Sequence, residues 1–218
     1  MGESPPARMI GVFGGTFDPI HYGHLRPAKE ALVTLGLEQV RFVPAARPPH
    51  RRTPVASAEQ RLRMVELAVA DEPGFVVDDR EFRRPGPSYT VDTLISMREE
   101  FGERTLCLLL GTDAFVQLET WHCWQQLPQL AHLVVMYRPG WSIPDSDSGL
   151  PAWARGALVQ KVAELARAAS GFLFFLRVTP QDISATRIRE GIADGDTVAD
   201  WLPPAEFDYI CQHGIYRK

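Results

Sequence analysis

The stretch Gly14-Gly15-Thr16-Phe17-Asp18-Pro19-Ile20-His21-Tyr22-Gly23-His24 lies between a short apolar run, Met9–Phe13, and a helical pattern, His24–Leu35. A strand that passes through a glycine-rich turn into a helix is the opening of a crossover unit. Gly14 and Gly15 allow a tight turn and a close approach of backbone to ligand. The helix start offers unpaired N–H groups and a positive dipole end. Phosphate binds well at such a place. His21 and His24 are three apart, so both imidazoles can share one side of the opening turn. Each can donate a hydrogen bond to a phosphate oxygen. An isolated HxxH pair would read as two exposed histidines. The whole string in its strand–loop–helix setting is far more specific.

Outward from this stretch, β-rich apolar runs alternate with helical patterns. The further runs are Val40–Val43, Phe75–Val77, Leu106–Leu110, Leu133–Met136 and Phe172–Val178. The further helical patterns are Ala58–Ala70, Thr90–Phe101, Trp153–Ala169, Ala185–Ala193 and Ala205–His213. Ser57 and Gln60 are spaced as a capping box. This alternation predicts an α/β fold, a doubly wound parallel sheet with helices on both faces. Ligands in such sheets bind beyond the carboxyl ends of the strands, where strand order reverses. The loops that follow strands are therefore the places to search.

Composition narrows the classes. The chain has 218 residues, 45% hydrophobic and 23% charged, with a net charge of -4. A chain of this size buries roughly 70% of its unfolded surface and needs no staples. The acidic balance argues against a broad nucleic-acid or anionic-membrane surface. Cys107, Cys123 and Cys211 form no CxxC pair, so neither a disulfide framework nor a structural zinc site is expected. Two histidines alone make no metal site, and no HExxH completes one. There is no GxxxxGK(S/T) loop, and no GxGxxG follows the first strand. Met1–Arg8 has no apolar signal core, and no apolar stretch approaches the ~20 residues of a membrane span. The expectation is a cytoplasmic protein with residues 1–8 as a flexible tail and 9–218 as one domain.

Four more stretches carry chemistry. Pro48-Pro49-His50-Arg51 by itself reads as a Pro-rich loop with solvated arginines. In Pro87-Ser88-Tyr89-Thr90-Val91-Asp92-Thr93-Leu94, Ser88 or Thr90 suits a helix N-cap. In Gly111-Thr112-Asp113, which follows the run Leu106–Leu110, Asp113 can cap a segment starting at Ala114 or accept hydrogen bonds from ribose hydroxyls. Trp121 and Trp124 stand at helical spacing and read as core residues. In Ile183-Ser184-Ala185-Thr186-Arg187-Ile188-Arg189, Ser184 is a good N-cap before another phosphate-suited helix start.

With these residues in place, the sequence resembles the HIGH-motif nucleotidylyltransferases. Within them it is most similar to the bacterial nicotinate-nucleotide adenylyltransferases, over nearly all of Met9 to Tyr216. The resemblance implies a Rossmann-like nucleotidylyltransferase fold with a C-terminal helical portion. It implies that His21, His24 and Arg189 are catalytic. It places ATP against Gly14, Gly15, Thr16, Phe17, His21, His24, Gly111, Asp113, Ile183, Ser184, Thr186 and Arg189. It places nicotinate mononucleotide against Gly15, Thr16, His50, Arg51, Tyr89, Thr90, Trp121 and His122. Trp121 would stack on the nicotinate ring, and the backbone near Thr90 and His122 would meet the carboxylate. Asp18 and Pro19 would shape the loop, and Arg187 would be a surface charge.

The implied reaction joins the adenylyl group of ATP to nicotinate mononucleotide and releases pyrophosphate. Mg²⁺ would travel on ATP, with no protein metal site and no covalent intermediate. Neither nucleic acid nor membrane is an expected partner, and a homo-oligomer is compatible with the sequence. Three rivals stay open. One uses nicotinamide mononucleotide instead, one is a phosphopantetheine adenylyltransferase, and one is a nucleotide-binding regulator without catalysis.

Overall fold

The computed structural model describes residues 9–49, 53–137 and 149–217. The N-terminal tail, His50, Arg51 and most of the connection after the fifth strand lie outside the described residues. Six strands form one parallel sheet: β1 (Ile10–Gly15), β2 (Gln39–Pro44), β3 (Phe75–Val77), β4 (Leu106–Gly111), β5 (His132–Tyr137) and β6 (Leu173–Arg177). Their order is β3-β2-β1-β4-β5-β6, all parallel. Strand order therefore reverses between β1 and β4, as the doubly wound reading requires.

The strands are apolar on both faces because each face is covered. Phe13 on β1 and Met9 just before it enter one core, and Ile10 and Val12 on β1 enter the other. On β4, Cys107 and Leu109 face the first core, while Leu106, Leu108 and Leu110 face the second. The first core is closed by α1 (Tyr22–Thr34), α2 (Ala58–Val69), α8 (Ala185–Asp194) and α9 (Pro204–Gln212). The second is closed by α4 (Thr90–Phe101), α5 (Thr112–Val116) and α6 (Leu127–Leu130). Cys107 is fully buried, and burial pushes its thiol pKa up to about 12, so it is a small core residue.

Element boundaries follow local chemistry. The Ser57 capping box forms, with Ser57 Oγ accepting from Gln60 N and Gln60 Oε1 accepting from Ser57 N. Ser184 caps α8 by accepting from Arg187 N at 3.3 Å.

Several expectations are overturned. Tyr89, not Ser88 or Thr90, is the N-cap of α4, because Ser88 Oγ is taken by Arg47 N at 3.0 Å. Gly111, not Asp113, is the N-cap of α5, and Asp113 sits inside its first turn. No helix spans Trp153–Ala169. A 3-10 turn at Ala152–Ala154 and the single turn α7 (Val162–Leu165) stand there instead. Gly156 is left-handed at φ +77, and the chain beyond it runs along the open edge of β6. Leu173 N donates to Ala157 O and Val159 N to Leu173 O, so the sheet edge outcompetes the helix for these groups. A one-turn α3 (Arg80–Arg83) was not expected. Trp121 and Trp124 are not helical neighbours, since Cys123 between them is left-handed at φ +50.

Candidate active site

The β1–β4 pairing covers only Ile10↔Leu106 to Val12↔Leu108. Beyond it the two strands part at their carboxyl ends, which opens the crevice. Continuing that register by three residues on each strand brings Gly15 level with Gly111. Gly14 and Gly15 prolong β1, and neither is left-handed; the turn is made by Phe17 at φ +48. A non-glycine residue there is strained and must be held by its surroundings. Phe17 is 3% exposed, packed edge-on against Phe13 at 5.9 Å. A Cβ on Gly15 would meet the Phe17 ring at 2.8 Å, so glycine is required there for packing. Gly14 is exposed, and a Cβ on it would meet only Val43 O at 4.0 Å, an ordinary contact.

His21 is the N-cap of α1 without any side-chain cap bond, and no acidic residue lies in that first turn. The positive helix end is thus left for an anion. The His21 and His24 rings lie 3.8 Å apart at 32°. His24 also stands edge-on to Phe17 at 5.3 Å. A Cβ on Gly23 would meet the His21 ring at 2.7 Å and Ile183 O at 3.2 Å. The loop before α8 therefore touches the opening turn of α1. Arg26 Nη1 donating to Gln181 Oε1 and Thr179 N donating to Glu30 Oε2 fix the same contact. Arg189 completes it by donating from Nη1 to Asp18 O at 2.7 Å and from Nη2 to Thr186 Oγ1 at 3.3 Å. His21, His24, Ile183, Thr186 and Arg189 are thus brought together. Arg187 stays outside this group, on Asp182 and over the Trp201 ring.

Asp18, expected to shape the loop, anchors it through partners that the sequence reading did not single out. Asp18 accepts from Val55 N and Ala56 N, and from Tyr216 Oη at 2.8 Å. Burial and the Asp18 carboxylate hold the Tyr216 hydroxyl far above its ordinary pKa, so it stays a donor. Arg61 on α2 is 1% exposed and donates to Thr16 O, Ala45 O and Ala46 O at 2.7, 2.6 and 3.3 Å. A signal for it exists: Arg61 stands on the apolar stripe of α2 with Met64, Val65 and Val69, where a charge needs partners.

The second wall starts at α4. Ser88 N donates to Arg47 O while Ser88 Oγ accepts from Arg47 N, tying the loop after β2 to Tyr89 and Thr90. Tyr89 stacks on the His122 ring at 4.2 Å, so the α4 start meets the Trp121–His122 turn. Trp121 is half-buried against the second core. Trp124 packs edge-on to Trp153 at 5.4 Å and is also half-buried. Asp113 is exposed at the start of α5, beside Gly111. Among the described residues, no group of three or more His, Cys, Asp or Glu could hold a metal ion. No helix among them is long and apolar enough to cross a membrane.

A sheet of this order, with a histidine pair, an arginine and an open helix start gathered at its switch point, defines a nucleotide-binding protein of the nucleotidylyltransferase class. The chain belongs to the cytidylyltransferase-like family, whose model matches residues 12–191, and within it to the nicotinate-nucleotide adenylyltransferases. A probable nicotinate-nucleotide adenylyltransferase of Aeromonas hydrophila is 49% identical over 208 residues, covering 95% of this chain and 97% of the relative. One of Methylococcus capsulatus is 45% identical over 211 residues, covering 96% and 100%. Plasmodium falciparum nicotinic acid mononucleotide adenylyltransferase, solved with NaAD, has a TM-score of 0.70 at 16% identity, covering 96% of this chain and 97% of that one. That last likeness concerns the fold.

Proposed function

We propose that this chain transfers the adenylyl group of ATP to nicotinate mononucleotide, giving nicotinate adenine dinucleotide and pyrophosphate. The observation that carries this reading is the convergence of His21, His24 and the Arg189 segment on the uncapped start of α1.

The acceptor phosphate is already anionic at neutral pH, since the second pKa of a phosphate monoester is near ~6. It needs no strong base. It needs relief from repulsion by the triphosphate and alignment with the α-phosphorus. The α1 start and the two imidazoles supply fixed donors where charge gathers on the leaving pyrophosphate. Arg189 stands beside them as a permanent cation with forked donors. ATP enters as its Mg²⁺ complex, so the metal arrives with the substrate.

The pyridine end has its own support. Tyr89 is the N-cap of α4 and makes no side-chain cap bond to the helix, so the first N–H groups of that helix suit a carboxylate better than an amide. Asp92 in the same turn is faced by Arg84 at 3.8 Å. Trp121 offers an aromatic face to the ring. His50 and Arg51 belong to the proposed acceptor site by resemblance.

The test supplies ATP and Mg²⁺ with each mononucleotide in turn and follows pyrophosphate release. Release with nicotinate mononucleotide, much faster than with the nicotinamide form, is the expected result. Preference for the amide would overturn the substrate assignment. Binding of ATP without release in either case would leave a nucleotide-binding regulator.

A further inference from the structure

Arg61 is a buried guanidinium with no carboxylate within ion-pair distance among the described residues. Taking such a charge out of water is costly unless good hydrogen bonds replace hydration. An apolar residue would close the same helix face at lower cost. What the cost secures is visible in its acceptors. Thr16 O belongs to the loop after β1, while Ala45 O and Ala46 O belong to the loop after β2. The next residue, Arg47, is doubly hydrogen-bonded to Ser88, which leads into Tyr89 and Thr90. One rigid fork thus joins the ATP-side loop to the wall assigned to the mononucleotide.

We infer that Arg61 is a positioning residue for adenylyl transfer, setting the separation between the donor loop at Thr16 and the acceptor wall reached through Ala45–Arg47 and Ser88. This rests on the proposed function. In-line displacement requires the attacking oxygen and the α-phosphorus to be held close and aligned, and a misplacement of about 1 Å can cost about 100-fold in rate. Apart from Gly15 and Thr16, which are expected to meet both, each substrate's expected contacts lie on its own side, so a loosened fork disturbs their mutual alignment more than the binding of either. A lysine keeps the charge but cannot span three carbonyls with a planar fork.

The test compares wild type, Arg61→Lys, Arg61→Gln and Ser57→Ala in steady-state assays, with circular dichroism and melting temperature recorded for each. Ser57→Ala removes the α2 cap and serves as a control for lost stability alone. The expected result is a kcat about 100-fold lower in the folded Arg61 variants, with both KM values within about threefold of wild type. Ser57→Ala should keep wild-type kcat at a comparable drop in melting temperature. The assignment is overturned if kcat is unchanged, if the loss lies in KM, or if Ser57→Ala reproduces it. It also falls if neither Arg61 variant folds, since Arg61 would then be a folding residue. A wild-type enzyme that makes no product would sink the functional reading instead.

Discussion

His24 is braced from two sides, by the Phe17 ring edge-on at 5.3 Å and by the His21 ring at 3.8 Å. A side chain held in this way keeps its donor aimed before substrate arrives, which is the condition for electrostatic catalysis. His24→Ala should lower kcat by about 1,000-fold while far-ultraviolet circular dichroism stays unchanged. Turnover within about threefold of wild type would remove His24 from the reaction. Trp121 is the residue proposed for the other end of the site. Trp121→Ala should raise the KM for nicotinate mononucleotide about tenfold and leave that for ATP nearly constant. Equal increases for both substrates would refute stacking. At this scale residue type and spacing singled out the histidines, whereas Arg189 and Trp121 were assigned by the family resemblance, since by spacing alone Trp121 reads as a core residue. The sequence did not display Arg61 or Tyr216, because their partners are carbonyls and a carboxylate far away in the chain.

Elements differ in how far local sequence controls them. Helix α2 begins where its Ser57–Gln60 box dictates, and α4 spans Thr90–Phe101 as its apolar spacing requires. Ser57→Ala should cost about 1 kcal/mol of stability, read by denaturant unfolding at constant m-value. No loss would mean that neighbouring contacts, not the cap, set that helix start. The segment 153–169 has a helical pattern, yet it forms mostly irregular chain. Gly156 interrupts it, and the backbone of Ala157–Val159 finds better partners on the edge of β6. Periodicity records which residues prefer burial; it does not record which free sheet edge lies nearby.

Across the whole molecule, two buried titratable groups shape stability against pH. Glu206 is fully buried, and neither carboxyl oxygen has a hydrogen-bond partner among the described residues. Burial raises its pKa well above 4.5, so the folded chain keeps a proton that the unfolded chain releases. Its contribution is complete below 4.5 and is lost as pH rises toward the folded pKa. Glu206→Gln should therefore gain stability relative to wild type as pH increases from 4.5, and a constant difference in unfolding free energy would refute this. His132 works in the opposite direction. It is fully buried on β5, with Nε2 facing Leu165 O and Ala168 O and Nδ1 accepting from Phe172 N. Burial lowers its pKa against the pull of those carbonyls, so stability falls as pH drops below 6.5. His132→Asn should flatten that acid limb, and an unchanged acid limb would refute the assignment. The amino-acid sequence alone determined the parallel α/β class, the strand-to-helix loop bearing both histidines and the kind of ligand such a loop receives. These follow from residue types a few positions apart, which short-range sterics and hydrogen bonding convert directly into structure. Only tertiary packing decided that Arg189 reaches the loop of Asp18, that Arg61 spans two loops and that Tyr216 closes onto Asp18. Those partners are far apart along the chain, and only the packing of α2, α8 and α9 on one face of the sheet brings them within hydrogen-bonding distance.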